Sequence, residues 1–517
     1  MFNDDFIKEE WIEYKKKIIS NGYSPKLHYH LDGYFSFEKR HQEIEKIVTD
    51  KSNKESKEFS YLPLVKTLSK TPRYKYQDGA YHLEKKIRPI FLTAHRDKYI
   101  YGFYSHLLNR LYQAKIKGTK IFNVPIAYRS DLSGKCNIQF SKEVFDFVRS
   151  QKQCSVVLTD ISSFFDNIDH KILKRNWERV LGLESLPIDH YKVFKALTQY
   201  KYLNLSSFYK KFSINIKKEK PKLGSLLNFI KEDMKFNEKM KILNDFDLIV
   251  KNKQLQKECN KGIPQGLSIS ATLSNIYMWD FDEIIQNYVS QKGGFYRRYC
   301  DDVIIVLPND NFDEILTLLH EEIAKKRGMI MKSSKTELAQ FSKVSNKSRF
   351  ECKTYDCPDL EKESYQYIEN GNKKIQYLGF TFNGRDVLIR ESSISRYYRK
   401  MSRRVRKTIR MAYSGRSKYS SDIIFRKQIL ERYTHYGSRN FLKYVYDASS
   451  KSYLNSKGEE KFGHDSIKMK KQVSRHMEIL DKLVQDKNLE RYLHKKKKGK
   501  KVRLKKWKNL TSANRVG

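Results

Sequence analysis

The sequence predicts an α+β chain, on three observations. Ser155-Val-Val-Leu-Thr-Asp160 and Val303-Ile-Ile-Val-Leu307 are short β-branched runs that read as buried strands. Apolar residues recur at helical spacing near 172–181, 268–284, 311–328 and 391–412. With 39% hydrophobic and 13% aromatic residues, the 517-residue chain can fill real cores, which excludes disorder throughout. Its length suggests about three structural units.

Lys and Arg number 103 against 60 Asp and Glu, a formal net charge of +43 with a pI of about 9.7. Such an excess repels itself unless a polyanion shares the surface. Nucleic acid is therefore the expected partner, and a basic ribosome-like structural protein the competing reading. Mean hydropathy is −0.72, and Val303–Leu307 falls far short of the ~18 residues of a membrane span, so no membrane partner is expected. The charged start, Met1-Phe-Asn-Asp-Asp-Phe6, lacks the apolar stretch of a signal peptide. Cys136, Cys154, Cys259, Cys300, Cys352 and Cys357 show no paired CxxC spacing, as expected of unpaired thiols in a reducing cytoplasm.

Along the chain, residues 1–60 read as a helical extension without nameable chemistry. Residues 61–135 are aromatic and basic, and hold Lys86-Ile87-Arg88-Pro89 and Ala127-Tyr128-Arg129. After the strand ending at Asp160, Ile172, Leu173, Trp177, Val180 and Leu181 share a helix face that Gly182 stops. Residues 201–258 are Lys-rich and irregular, and read as an insertion or small subdomain. Ser268 or Ser270 is expected to cap a helix carrying Leu273, Ile276, Tyr277, Phe281 and Ile284. Phe295–Leu307 is expected as two strands around a tight turn at Asp301-Asp302. Asp310 or Asn311 begins another helix, ended by Gly328. From 391 to 412, Ile394, Tyr397, Met401, Val405 and Ile409 line one face, and Arg399, Arg403 and Arg406 belong to the opposite one. Lys495–Lys508 holds ten Lys or Arg in fourteen residues and no acid, the composition of a solvated arm.

Chemistry concentrates in the acids. Asp301 and Asp302 are adjacent between strand-like runs, where aspartate has poor propensity and paired desolvation is costly. A divalent cation removes that cost. If the two strands are neighbours, Asp160 joins them at one sheet edge and offers hard oxygen ligands for Mg²⁺. Two such ions can clamp the attacking and leaving oxygens of a phosphoryl displacement. Phe165, five residues after Asp160, could stack under a sugar and exclude a 2′-hydroxyl; Asp166 also suits an RNA-synthesising site. Gly262-Ile-Pro-Gln265-Gly266 lets backbone approach a template base or nucleotide closely. Lys86 and Arg88 suit an incoming triphosphate.

In this order, these segments resemble a reverse transcriptase. Lys86-x-Arg88-Pro89 and Ala127-Tyr128-Arg129 are similar to the family's fingers motifs, and Asp160 with Phe165 to its first catalytic palm motif. Ile263-Pro264-Gln265-Gly266 through Asn275 resembles the second, and Tyr299-Cys300-Asp301-Asp302 the YxDD signature. Ser334-Lys335-Thr336 resembles the lysine motif, and Tyr377-Leu378-Gly379-Phe380 the primer-grip hairpin. The resemblance implies a right-hand polymerase fold with fingers at 61–135, palm at 136–390 and helical thumb plus basic C-terminal region at 391–517. It implies DNA synthesis from dNTPs on an RNA template, with two Mg²⁺ ions (Mn²⁺ as substitute) held by Asp160, Ile161, Asp301 and Asp302. Lys86, Arg88, Phe165, Gln265 and Lys335 then serve the nucleotide. Tyr128, Arg129, Tyr377, Gly379, Arg399, Arg403 and Arg406 serve the nucleic acid.

Leu267-Ser-Ile-Ser-Ala271 replaces a common Ser-Pro pattern, and the interval from Asp166 to Lys261 is long for a compact palm. These departures resemble the bacterial abortive-infection and defence-associated branch, which implies a non-coding RNA template, antiphage defence and a bacterial cytoplasm. A homo-oligomer is left open. Two alternatives share the same palm: an RNA-binding maturase or scaffold, and a template-independent or protein-primed polymerase.

Overall fold

The computed structural model describes residues 4–20, 28–49, 59–77, 79–132, 134–215, 224–230, 234–252, 260–309, 311–344, 350–360, 366–414, 423–499 and 501–507. Cys259 and Asp310 lie outside them. Helices α1 (Asp4–Ser20) and α2 (Phe37–Thr49) form in the expected extension. Both bury aromatics against α3 (Asp97–Ile116): Trp11 meets Phe103 edge-on at 5.7 Å, and the Tyr14 hydroxyl donates to the Tyr99 carbonyl at 3.1 Å. Between α2 and α3, β1 (Leu64–Gln77) and β2 (Ala80–Leu92) form a long antiparallel hairpin.

After α4 (Asn137–Ser150) comes β3 (Gln153–Ser162), the strand at the heart of the fold. Its apolar residues are buried on both faces, which explains an unbroken run instead of an alternating one. Val157 and Ile161 enter the core built with α5 (His170–Leu181), while Val156 and Leu158 enter a second core with α4. Asp169 caps α5 by accepting from the Lys171 and Ile172 N–H groups, and Gly182 ends it at φ +71°.

The segment after α6 (Ile188–Thr198) does not stand apart. Its strands β4 (Lys201–Asn204) and β5 (Ile249–Lys251) extend the β1–β2 hairpin in the order β2-β1-β4-β5, with β4 parallel to β1. Helices α7 (Leu205–Lys211) and α8 (Phe236–Asp245) close a small core in which Phe208 and Leu243 meet Val65 and Leu31. Lysines on the outside mask this core in the sequence.

The expected helix over 268–284 is two: α9 (Ser268–Tyr277) and α10 (Trp279–Gln291), joined at Met278. No serine side chain caps α9; Ser270 Oγ donates to the Pro264 carbonyl at 2.7 Å. The break shifts the helical phase, so Ile285 is buried and Ile284 is 37% exposed. Strands β6 (Phe295–Tyr299) and β7 (Asp302–Pro308) follow, then α11 (Asp313–His320), whose chain leaves through Gly328 at φ +57°. β8 (Ile330–Met331), β9 (Glu337–Lys343), β10 (Phe350–Asp356) and β11 (Ile368–Glu369) complete the central antiparallel sheet. Its order is β11-β10-β9-β3-β7-β6, with β8 also on β3.

β12 (Ile375–Tyr377), β13 (Phe380–Phe382) and β14 (Val387–Ile389) make a separate three-stranded sheet that leads into α12 (Glu391–Ala412). Leu378 at φ +45° and Gly379 at φ +92° form the two-residue turn of its first hairpin. α12 buries Tyr397, Met401, Val405 and Ile409 as its pattern predicts. α13 (Lys427–Tyr433), α14 (Phe441–Ser449), the hairpin of β15 (Ser452–Leu454) and β16 (Glu460–Phe462), α15 (Ile467–Lys471) and α16 (His476–Lys497) complete the C-terminal region. The expected solvated arm is partly anchored: Trp507 Nε1 donates to Asp481 at 3.0 Å, and the Lys505 carbonyl accepts from Asn488. The Lys506 carbonyl also accepts from the Ile424 N–H at 3.1 Å, so the segment is held by one indole and by the main chain of the lysines beside it.

His464 cements this region to α4. Its ring is 5% exposed, lies 4.7 Å from Phe380 and bonds Ser141 Oγ at 3.0 Å. Burial, reinforced by Lys142 and Arg149, pushes it down to about 3. A base depressed in the folded state is protonated first in the unfolded chain, so stability is lost as pH falls below ~6.5. The His464 contribution is expected to cost about 2 kcal/mol between pH 7.5 and pH 5. Urea unfolding at both pH values should show that acidification changes wild-type stability about 2 kcal/mol less favourably than it changes His464→Gln.

Candidate active site

Antiparallel register decides the geometry of the acids. β3 pairs with β7 so that Asp160 stands directly opposite Asp302. Tyr299 pairs with Asp302, so the β6–β7 turn is Cys300-Asp301 and not the expected Asp301-Asp302; Asp302 opens β7. The Ile161 N–H donates to the Asp301 carbonyl at 3.1 Å, fastening that turn to β3. All three acids thus share one sheet edge. Non-glycine residues in the left-handed region surround it: Cys300 at φ +61°, Ser163 at +52°, Tyr128 at +59° and Leu378 at +45°. Such conformations carry strain and persist only where surroundings enforce them.

The site is short of positive charge. Burial, with Asp301 and Asp160 adding repulsion, pushes Asp302 up to about 7. Burial chiefly, with Asp160 contributing, also raises Asp301. Lys335 Nζ lies 2.5 Å from Asp160 Oδ1, and Arg390 opposes the rise at Asp302, yet the rise persists. Three hard-oxygen donors at one strand end under mutual repulsion could hold a divalent cation, their side chains drawing closer around it than they stand here. Ile161 is fully buried and has no side-chain donor, so any contribution to such an ion would come from its main-chain carbonyl.

Lys86 and Arg88 oppose Thr71 and Ser69, two positions apart, and so share a face of the hairpin. Desolvation first, then Arg88, Arg73 and Lys335, lower Lys86, while Asp160 pulls the other way. Lys86 on that face is therefore within electrostatic reach of Asp160 and Lys335. Phe165 is part-buried beside Phe164 at 5.4 Å. The 260–265 segment runs back along 165–170, with the Ile263 N–H donating to the Phe165 carbonyl at 2.9 Å and the Gly262 N–H to Ile168 at 2.7 Å. The Gln265 carbonyl accepts from the Phe91 N–H at 2.8 Å, and its side chain bonds Asp166. Gly266 is required twice over: φ is +114°, and a Cβ would sit 2.7 Å from the Phe91 carbonyl oxygen.

Of the residues assigned to nucleic acid, Tyr128 is 48% exposed and stands 6.5 Å from Tyr299. Arg399, Arg403 and Arg406 are exposed on α12, and Gly379 occupies its turn. Two assignments are corrected. Arg129 is buried, paired with Asp131 and stacked 4.6 Å from Phe122, so it fixes its loop. Tyr377 is buried too, near enough to Asp302 and Arg297 to feel both, and packs beneath the acids. Side chains of a short motif alternate in direction, which the motif alone does not reveal.

Sequence reasoning missed the support under the acidic turn. Arg298 and Asp282 are fully buried and paired at 2.6 Å; Tyr296 donates to Asp282 at 2.7 Å, and Arg298 Nη1 donates to the Cys300 carbonyl at 3.0 Å. Asp282 lies among the apolar positions Met278, Phe281, Ile285 and Val289, and that misplaced charge was the available signal. Arg390, which acts on Asp302, sits one residue past the β14 run and carried no signal.

The family model for reverse transcriptase (RNA-dependent DNA polymerase) matches residues 84–382, a span holding every motif from Lys86 to Phe380. The chain belongs to the reverse transcriptase family. Its mixed helices and central antiparallel sheet are the right-hand polymerase fold of that family. Two similar solved structures are telomerases. Apo telomerase from Candida tropicalis, truncated from its C-terminal domain, aligns at TM-score 0.32 and 12% identity over 63% of this chain and 57% of that one. Telomerase from Candida albicans, in complex with a TWJ fragment of telomeric RNA, aligns at TM-score 0.34 and 11% identity over 90% and 72%. This reverse transcriptase therefore spans little more than half the length of the first. Among its described residues, no helix is long and apolar enough to cross a membrane.

Proposed function

We propose that the chain makes DNA from dNTPs on an RNA template, and that Asp160, Asp301 and Asp302 are its catalytic acids. The observation that carries this is the Asp160–Asp302 register pair with Asp301 in the adjoining turn. Those acids, with the Ile161 carbonyl, would hold two Mg²⁺ or Mn²⁺ ions, which supply charge stabilisation to the attacking and leaving oxygens. Lys86 and Arg88 bind the triphosphate from the hairpin face. Phe165 lies under the sugar, held by the loop that carries Gln265 toward the template base. Lys335 reaches Asp160 directly, which favours charge neutralisation there over a free general acid.

In this reading the β1–β2 hairpin, with β4 and β5, forms the fingers, the central sheet the palm, and α12 with the following helices the thumb. The sequence departures at 267–271 support the narrower assignment to bacterial antiphage defence in the cytoplasm, with a non-coding RNA as template. Nothing in the structure favours the scaffold reading, because all three acids are in place.

Primer extension on RNA, with dNTPs and NTPs in competition, tests the proposal. Wild type is expected to prefer dNTPs. Phe165→Ala is expected to relax that preference by roughly 10- to 100-fold in relative kcat/KM. Equal use of both by wild type would refute selection at the sugar, and failure to incorporate dNTPs on RNA would refute DNA synthesis as the activity.

A further inference from the structure

Helix α1 buries an acid where its pattern calls for an apolar residue. Glu10 shares the buried face of Ile7, Trp11 and Tyr14, which packs on α3. Gly102 lets the two helices approach closely, since a Cβ there would collide with the Tyr14 hydroxyl. Glu10 and Glu13, three residues apart on α1, thereby come against His106 and Arg110, four apart on α3. One carboxylate oxygen of each glutamate and one ring nitrogen of His106 all lie within 4.8 Å of one another.

Ion pairing does not account for this cluster. Arg110 is half-exposed and reaches the carboxylates loosely, at 3.3 Å from Glu10 Oε1 and 3.6 Å from Glu13 Oε2. Glu10 Oε2 stands 3.0 Å from His106 Nε2, yet neither buried atom makes a hydrogen bond. Their side chains are only 5% and 8% exposed. Burial, with Lys17 second, pushes His106 down to about 4, so near neutral pH its ring is uncharged and has a lone pair to donate. Burial also raises Glu10. A carboxylate oxygen and an imidazole nitrogen, both buried and unsatisfied, carry a cost that one shared cation removes.

The donor set selects the cation. Imidazole with two carboxylates suits Zn²⁺, which takes nitrogen and oxygen ligands at ~2.0–2.2 Å, whereas Mg²⁺ prefers oxygen. Tetrahedral bonds of that length put ligand atoms ~3.4 Å apart, so the set closes by no more than ~1.4 Å. Glu13, half-exposed, has the freedom to supply that movement. The geometry points to a Zn²⁺ site made by Glu10, Glu13 and His106, fastening the N-terminal helix to α3, with water in the fourth position and Arg110 displaced into solvent. The two carboxylates balance the charge of the ion; without metal, Arg110 is their weak substitute. Ser105, next to His106, bonds Thr272 of α9 at 2.8 Å, so the ion braces the helix on which α9 rests. The site shares no residue with the acids of β3 and β7 and does not depend on the polymerase reading.

Zn²⁺ titration of the full chain tests the site, after EDTA stripping and dialysis, in excess Mg²⁺ to compete at Asp301 and Asp302, with a chromophoric chelator reporting affinity. Wild type should bind one Zn²⁺ that depends on these residues. Glu13→Gln and His106→Gln should each weaken it by more than the ~10- to 100-fold that losing a group hydrogen-bonded behind a ligand costs. Arg110→Gln should tighten it roughly 10-fold, because a competing positive charge is gone. Co²⁺ in place of Zn²⁺ should give visible ligand-field absorption in wild type that His106→Gln loses. Hydrogen exchange of α1 amides should slow several-fold when Zn²⁺ is added to wild type, and stay unchanged in Glu13→Gln. Glu13 and Arg110 are half-exposed, so their variants carry the test even where His106→Gln fails to fold. Absence of zinc binding, or an affinity indifferent to Glu13 and His106, would overturn the site. An affinity unchanged or weakened in Arg110→Gln would also overturn it, showing the cluster to be a plain ion-pair junction.

Discussion

Asp301→Asn is expected to lower dNTP incorporation at least ~10³-fold, about 4 kcal/mol of lost transition-state stabilisation, while leaving the fold intact. The activity loss follows from removing a proposed ligand at the strand end that Asp160, Asp301 and Asp302 share. The stability claim follows from electrostatics. Asp301 and Asp302 are both raised, Asp302 to about 7, so the metal-free fold holds them at a cost once they ionise. For a carboxyl raised in the folded state, the favourable contribution exists below the ordinary carboxylate range and is lost as pH climbs toward the folded value. Wild type in EDTA should therefore lose thermal stability between pH ~4 and 7, and Asp301→Asn and Asp302→Asn should lose less. Mg²⁺ should stabilise wild type and leave both variants nearly unmoved. Melting curves with and without Mg²⁺ across that range check both statements. Variants that unfold while wild type is insensitive to metal would show the acids to be structural.

Arg298→Met should be the most destabilising single change near the site, at about 3–5 kcal/mol. The reason is the orphan it leaves. Asp282 would remain fully buried with only the Tyr296 hydroxyl bonded to its carboxylate, and the Cys300 carbonyl would lose a charged donor. Pairing the change with Asp282→Leu removes the orphan and should recover much of the stability, because a buried ion pair replaced whole by apolar groups is often near neutral. Activity should not recover with it. The left-handed Cys300 turn would still lack its prop, and Asp301 would lose its fixed position. Urea unfolding and primer extension on both variants separate the two effects; full activity in the double variant would mean the turn holds itself.

Much of this was legible in the chain. The β-branched runs at 155–160 and 303–307 declared buried strands, and the acids at their ends marked the candidate site. What the text could not show was register. Nothing in it says that Asp160 pairs with Asp302 rather than Asp301, nor that Cys300 takes the turn. Motif membership also misled where burial decides, as at Arg129 and Tyr377, which are buried in spite of their motifs. The 201–258 segment read as separate because its lysines outnumber the few residues, Leu203, Phe208 and Leu243, that tie it to Val65. Helix phase was lost at Met278, a break without proline or glycine.

Anomalous scattering from crystals grown with Mn²⁺ and a matched template–primer tests the central assignment most directly. Two peaks roughly 3.5–4 Å apart, shared among the side chains of residues 160, 301 and 302, are the predicted outcome. Manganese bound elsewhere, with those carboxylates bonded only to protein, would contradict it.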